Sequence, residues 1–256
     1  MKFNAEKGIV IAGHRGDPAH HPENTMESFR AAIACGADMI ETDVHLTRDG
    51  MPVLLHDHDL ARTGVGRSAS AGRICDLTAA EAAQLNVGTA AQPMQIPTLE
   101  ELLALTAAAP TLLLDLEIKV YLADEGAARV DEVIEKTVAL IEKYHLDGRV
   151  LFNSFDAFVL ERIHQKYGRR FLLHGYYPYD IMANVQADPA SYLDYACYWA
   201  SGEKAKASCD FLIAHGIAPC TGSHTPEAEF FEAARLGCAM FTENDPAAAI
   251  RWRDRL

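Results

Sequence analysis

Carboxylates stand where the chain otherwise reads as apolar strand. In Met39–Val44, Ile40, Thr42 and Val44 alternate with Glu41, Asp43 and then His45, so the two acids share one face. In Thr111–Ile118, extended to Lys119, Asp115, Glu117 and Lys119 share a face opposite Leu114, Leu116 and Ile118. Buried acids without partners are strongly unfavourable. A hard cation coordinated by Glu41, Asp43 and Glu117 would compensate them and leave Lys119 to meet an anion. The plainer alternative is a buried Glu117–Lys119 ion pair beside a hydrogen-bonded Asp43. His14-Arg15-Gly16 follows the apolar run Ile9–Ala12, with Gly16 permitting a tight turn. His56 ends the run Val53–Leu55 and precedes Asp57, an available orienting carboxylate. Two histidines, an arginine and an acidic cluster are the parts phosphoryl transfer needs: charge neutralisation, a proton acceptor and a proton donor.

Positioning these groups requires strands that end at a common rim. Eight apolar runs read as strands: Ile9–Ala12, Met39–Val44, Thr111–Ile118, Val150–Phe152, Phe171–His174, Ala196–Trp199, Ile217–Thr221 and Ala239–Thr242. Tyr195–Trp199 reads equally as a helix end. Helical period appears at Met26–Cys35, Ala123–Tyr144, Ala157–Tyr167, Lys204–His215 and Pro226–Leu236, with Gly36, Gly168, Gly216 and Gly237 placed as C-caps. Asn24 or Thr25 is the expected N-cap of the first helix. Alternation of this kind predicts an α/β fold, a (β/α)8 TIM barrel with a small insertion after the second strand; an open doubly wound sheet is the alternative. The insertion runs from about His45 to Pro97, contains the short run Val53–Leu55 and a helix candidate at Thr78–Leu85, and is expected to cap one end of the barrel.

With 256 residues and 28.0 kDa, the chain is expected to form one domain spanning 1–256. A net charge of −13 and a pI near 5.2 exclude a general nucleic-acid binder. At 49% hydrophobic and 23% charged, the composition is that of an ordinary globular chain. Met1–Gly8 lacks a signal-peptide pattern and no run of about 18 apolar residues occurs, so a cytoplasmic protein without an integral membrane segment is expected. Six scattered cysteines show no Cys-x-x-Cys spacing and read as reduced thiols. Among the remaining histidines, His224 included, only His56-Asp57-His58 has ligand spacing, which keeps a zinc amidohydrolase open as an alternative.

Several ordered motifs together resemble the glycerophosphodiester phosphodiesterase family. They are Ala12-Gly13-His14-Arg15-Gly16, Pro22-Glu23-Asn24-Thr25, Ile40-Glu41-Thr42-Asp43-Val44, Thr47-Arg48-Asp49-Gly50, Val53-Leu54-Leu55-His56-Asp57, Ile96-Pro97-Thr98-Leu99-Glu100-Glu101 and Leu116-Glu117-Ile118-Lys119. The resemblance implies a TIM barrel and one divalent metal, magnesium or calcium, on Glu41, Asp43 and Glu117. It also implies His14 and His56 as general acid and base, Arg15 and Lys119 as phosphate contacts, and a small-molecule phosphodiester as substrate. Which histidine is the acid, and whether water or a neighbouring glycerol hydroxyl attacks, stays open. The C-terminal half departs from the family. Cys220-Thr221-Gly222-Ser223 stands where relatives often carry Trp-Thr-x-Asn, and Thr242-Glu243-Asn244-Asp245-Pro246 replaces a Thr-Asp-x-Pro pattern. Loss of that Trp is expected to remove apolar wall from the site. Tyr176, Tyr177 and Tyr179 read either as a pocket for a choline-like cation or as loop packing. The altered half also leaves room for a barrel that binds phosphodiesters without turning them over.

Overall fold

A computed structural model of the chain describes residue 3 and residues 8–223 and 226–256. His224 and all of Met1–Gly8 except Phe3 and Gly8 lie outside the described residues. Each of the eight apolar runs forms a strand. In chain order the strands are β1 (Val10–His14), β2 (Met39–Leu46), β3 (Pro52–Leu54), β4 (Leu113–Ile118), β5 (Val150–Asn153), β6 (Leu172–Tyr177), β7 (Tyr195–Tyr198), β8 (Ala218–Gly222) and β9 (Met240–Glu243). All but β3 are parallel and close into an eight-stranded ring, with β1 paired to both β2 and β9. The fold is a TIM barrel. Tyr195–Tyr198 is a strand, which resolves the helix-end ambiguity, and β1 runs on to include His14.

The helices are α1 (Met26–Cys35), α2 (Ala79–Ala82), α3 (Leu99–Ala107), α4 (Leu122–Glu125), α5 (Ala127–Lys143), α6 (Ala157–Tyr167), α7 (Gly202–Ala214), α8 (Glu227–Arg235) and α9 (Pro246–Arg253). Thr25 caps α1 by accepting the Ser28 N–H, and Gly36 ends it at φ 91°, a conformation that disfavours a side chain. The single helix expected over Ala123–Tyr144 is two, because Gly126 at φ 82° separates α4 from α5. Two helices escaped the sequence reading. α3 opens on a capping box of Thr98 and Glu101, and α9 on Asp245 with Pro246 at its first turn. No helix among the described residues is long and apolar enough to cross a membrane.

Strand alternation divides the packing. Outward side chains such as Ile40, Val44, Leu114, Leu116 and Phe152 pack with the helices into the main core. Inward side chains Val10, Ala12, Met39, Leu151, Tyr195 and Met240 fill the lower barrel. Above them the inward positions turn polar, Glu41 and Asp43 on β2 and Asp115 and Glu117 on β4, in register as Glu41 with Asp115 and Asp43 with Glu117. The insertion has a core of its own, including Val53, Leu60, Ile74 and Ile96, and is tied on by β3, antiparallel to the C-terminal end of β2. It contributes His56 and Arg62 to the wall of the pocket at that end. All six cysteines are free.

The last helix fastens the opposite end. Arg253 is 4% exposed; its guanidinium donates to the Ile9 carbonyl and to Asp38, which also accepts the Ile11 N–H. Arg253→Met keeps the apolar stem and removes these bonds. Loss of charged hydrogen bonds predicts a cost of about 2 kcal/mol, seen as a lower urea midpoint at unchanged slope. A midpoint equal to the parent's would show that α9 does not secure the start of β1.

Candidate functional site

The ring brings the C-terminal ends of β1, β2 and β4 side by side, so residues far apart in sequence converge. Glu41, Asp43 and Glu117 are all buried, and each offers an oxygen within 4.8 Å of the others'. This is the one acidic, histidine or cysteine grouping among the described residues with spacing suited to a metal ion. Three hard oxygen donors are the chemistry magnesium or calcium selects, so the residues fit a divalent cation. The plainer alternative is present alongside. Lys119 Nζ lies 2.5 Å from Glu117 Oε1 and 3.2 Å from Asp43 Oδ1, so the ammonium already sits behind the acids.

Asp43 is held from several sides. Asn24 Nδ2 donates to its Oδ2 at 2.8 Å, and Thr42 Oγ1 in turn donates to Asn24 Oδ1 at 2.7 Å. Asn24 is therefore a support for the acidic cluster and not the cap of α1. Its backbone, and that of Arg15, adopt φ 53°, and the Arg15 N–H donates to Glu41 Oε2 at 3.0 Å. The Arg15 Nε is 3.5 Å from Asp43 Oδ2, while its Nη1 donates to Glu23 Oε1 at 2.9 Å. Burial alone would raise the Asp43 pKa, but Lys119 and Arg15 outweigh it and hold the carboxyl well below the usual range. Glu41 goes the other way: burial, then the neighbouring Asp43 and Glu117 charges, push it well above an ordinary carboxylate. Burial also raises Glu117, despite the pull of Lys119.

The two histidines are oriented alike. His14 Nδ1 lies 2.7 Å from Asn244 Oδ1, and His56 Nδ1 lies 2.6 Å from Asp57 Oδ1. Both partners are acceptors, so Nδ1 carries the proton and Nε2 is left for chemistry. Burial, reinforced by Arg15, lowers the His14 pKa to about 4, which leaves the ring neutral at pH 7. Asn244 and Asn24 are the supports that sequence reasoning missed. Neither shows in strand or helix periodicity, since both lie in loops and act on the end of a neighbouring strand.

His14, Arg15, His56 and Glu117 line one open pocket of about 690 Å³. Lys119 is not among its lining residues and lies on the far side of Glu117, bonded to that carboxylate. The expected loss of apolar wall does not occur. Phe155, Tyr176 and Trp199 form a stacked set on the pocket, with Phe155 and Tyr176 centroids 3.6 Å apart and Tyr176 and Trp199 centroids 5.3 Å apart. Of the tyrosines singled out earlier, Tyr176 is in the site, while Tyr177 and Tyr179 pack on Phe211. His58 faces Asp124, His45 and Tyr121, and His174 is bonded to Asp115 and Cys220, so neither joins His56 in a zinc centre.

Known proteins carry the same framework. The model of the glycerophosphoryl diester phosphodiesterase family matches residues 14–256. A glycerophosphodiester phosphodiesterase of Caldanaerobacter subterraneus is 35% identical over 161 residues, 61% of this chain and 62% of that protein. A probable glycerophosphodiester phosphodiesterase of Mycobacterium tuberculosis is 38% identical over 156 residues, 60% of this chain and 52% of that one. The chain thus matches somewhat more than half the length of these relatives. Among solved structures, a glycerophosphoryl diester phosphodiesterase described from Silicibacter pomeroyi has a TM-score of 0.83 at 21% identity, covering 98% of this chain and 95% of that one. An Oleispira antarctica phosphodiesterase in complex with the product sn-glycerol-3-phosphate has a TM-score of 0.77 at 22% identity, covering 95% and 96%. At these identities the likeness is one of fold.

The raised Glu41 would give a cation held by these carboxylates a pH dependence. A cation there would need the carboxylate and a proton would compete for it, so affinity is expected to fall as the pH is lowered through the raised Glu41 pKa, with binding in that range displacing a proton. Calorimetric titration of calcium or magnesium in buffers of different ionisation enthalpy measures both. Heats independent of the buffer, with affinity unchanged as the pH is lowered to where the chain begins to unfold, would contradict the reading of Glu41 as a ligand.

Proposed function

The chain belongs to the glycerophosphoryl diester phosphodiesterase family, and from that membership we propose that it hydrolyses glycerophosphodiesters to glycerol 3-phosphate and an alcohol. The observation that carries this reading is the convergence of His14, His56, Arg15 and Glu117 on one pocket, with Glu41 and Asp43 grouped beside Glu117. A divalent cation, magnesium or calcium, held by Glu41, Asp43 and Glu117 would supply charge neutralisation at the phosphoryl oxygens. Arg15 meets those oxygens from the pocket wall, and Lys119 adds its charge from behind Glu117 and Asp43. One histidine takes the proton of the attacking hydroxyl at Nε2 and the other returns a proton to the leaving alkoxide. Asn244 and Asp57 accept from Nδ1–H and so aim Nε2 of both rings at the diester; the ring that acts as acid carries a second proton on Nε2 before the step and gives it up in it. The aromatic stack receives the carbon skeleton of one arm of the diester.

Turnover is tested by release of glycerol 3-phosphate from a panel of glycerophosphodiesters after chelation and resupply of magnesium, calcium, manganese or zinc. Activity is expected to vanish with chelator and to return with magnesium or calcium. His14→Ala and His56→Ala are each expected to lower kcat by about 10²- to 10⁴-fold, the usual contribution of a positioned acid or base, with cation affinity retained. A variant of either histidine that turns over at the parent rate would remove that residue from the mechanism. Tight cation binding with no turnover of any diester would favour a binding role.

A further inference from the structure

Arg62, in the insertion, reaches two acceptors that each hold a group in the proposed reaction. Its Nε donates to Asp57 Oδ2 at 2.7 Å, while Nη1 and Nη2 donate to the two Glu23 oxygens at 2.7 Å each. Asp57 uses its other oxygen on His56 Nδ1, and Glu23 Oε1 also accepts Arg15 Nη1. One planar guanidinium thus closes a chain from the acid/base His56 to the phosphate contact Arg15. The exposure falls along it, from 49% for the Arg62 side chain through 30% for Asp57 and 19% for Glu23 to 14% for Arg15.

We propose that Arg62 is a positioning residue for the phosphodiester reaction, fixing His56 through Asp57 and Arg15 through Glu23. This rests on the function proposed above. Half-exposed ion pairs contribute little to folding stability, so a five-bond arrangement of this geometry acts through orientation. Without Arg62, Asp57 loses the partner that fixes its plane and Glu23 keeps only Arg15. Burial would raise the Asp57 pKa, and the hydrogen bonds from Arg62 and His56 outweigh it, which keeps the carboxylate charged as an acceptor for the ring. A lysine cannot replace Arg62, because an ammonium lacks the fork that spans two carboxylates in one plane.

Arg62→Ala is expected to lower kcat/KM roughly 10- to 100-fold, the scale of a misplaced reacting group, with thermal midpoint and cation affinity near the parent's. Arg62→Lys is expected to recover little of this and added ethylguanidinium part of it. The ¹⁵N spectrum of His56 reads the tautomer independently of turnover, and Arg62→Ala is expected to broaden or shift its Nδ1 signal. Because Arg62 also lines the pocket, a direct phosphate contact is the competing role. A double-mutant cycle separates them. In a Glu23→Gln/Asp57→Asn background, Arg62→Ala is expected to have almost no further effect. A loss there as large as in the parent, a parental kcat/KM in Arg62→Ala, or a purely KM effect would each overturn the proposal. If Arg62→Ala does not fold, Asp57→Asn and Glu23→Gln read the two arms separately. A parent chain inactive on every diester would instead refute the functional reading, while the His56 spectrum would still decide whether Arg62 orients the ring.

Discussion

Everything at this site depends on like charges crowded into a buried ring. Two like charges about 4 Å apart repel by about 4 kcal/mol at an effective dielectric of 20, and Glu41, Asp43 and Glu117 sit within that order of distance of one another. Arg15 and Lys119 are the cations built against them. Three carboxylates and two cations leave a balance of −1 when all are ionised, and burial, ahead of the neighbouring charges, raises Glu41 and Glu117. A further divalent charge would turn −1 into +1, the sign that receives a phosphodiester anion. Acidic composition overall and affinity for an anion are therefore compatible, because the local sum and not the net charge of −13 sets the field in the pocket.

The barrel makes such crowding possible without unfolding the chain. Its lower interior is apolar and close-packed, so the ionic residues are confined to the upper strand positions, where the ring opens to solvent. Loops then add the hydrogen bonds that isolated carboxylates would lack. Arg15 and Asn24 both occupy the left-handed region at φ 53°, a conformation costly for side chains other than glycine. Each is repaid in contacts: the Arg15 N–H on Glu41, and the Asn24 amide on Asp43. Local backbone strain and the acidic cluster are two sides of one arrangement.

This division explains what the sequence could reveal. Period-two alternation put Glu41 with Asp43 and Glu117 with Lys119 on common faces, because strand geometry relates i to i+2 whatever the surroundings. Closure of the ring, which makes Asp43 and Glu117 neighbours, followed from repeated strand and helix signals. Asn24, Arg62 and Asn244 were illegible for the opposite reason. Their roles depend on contacts across 19, 39 and 230 residues, for which local pattern carries no signal. Asn24 also mimicked a helix cap, since it stands directly before Thr25, the true one. α9 was missed because Pro246–Arg253 packs through alanines and an arginine stem, not through a stripe of large apolar residues.

The aromatic wall shows how the unusual C-terminal half stays compatible with a working pocket. A tryptophan expected on β8 would be the obvious apolar surface, and Cys220-Thr221-Gly222-Ser223 supplies none. Yet Trp199 directly follows the neighbouring β7 and stacks on Tyr176 of β6 and on Phe155 beyond β5. Adjacent parallel strands end at the same rim, so a ring carried one strand over still faces the same cavity. Phe155 also lies 5.7 Å from the Lys119 ammonium, which fixes one end of the stack against the acidic cluster. At the other end Trp199 is 51% exposed. The three rings pack mutually and together reach from beside the charged centre out to solvent, so the apolar wall of the pocket is supplied by β5, β6 and β7 without help from β8.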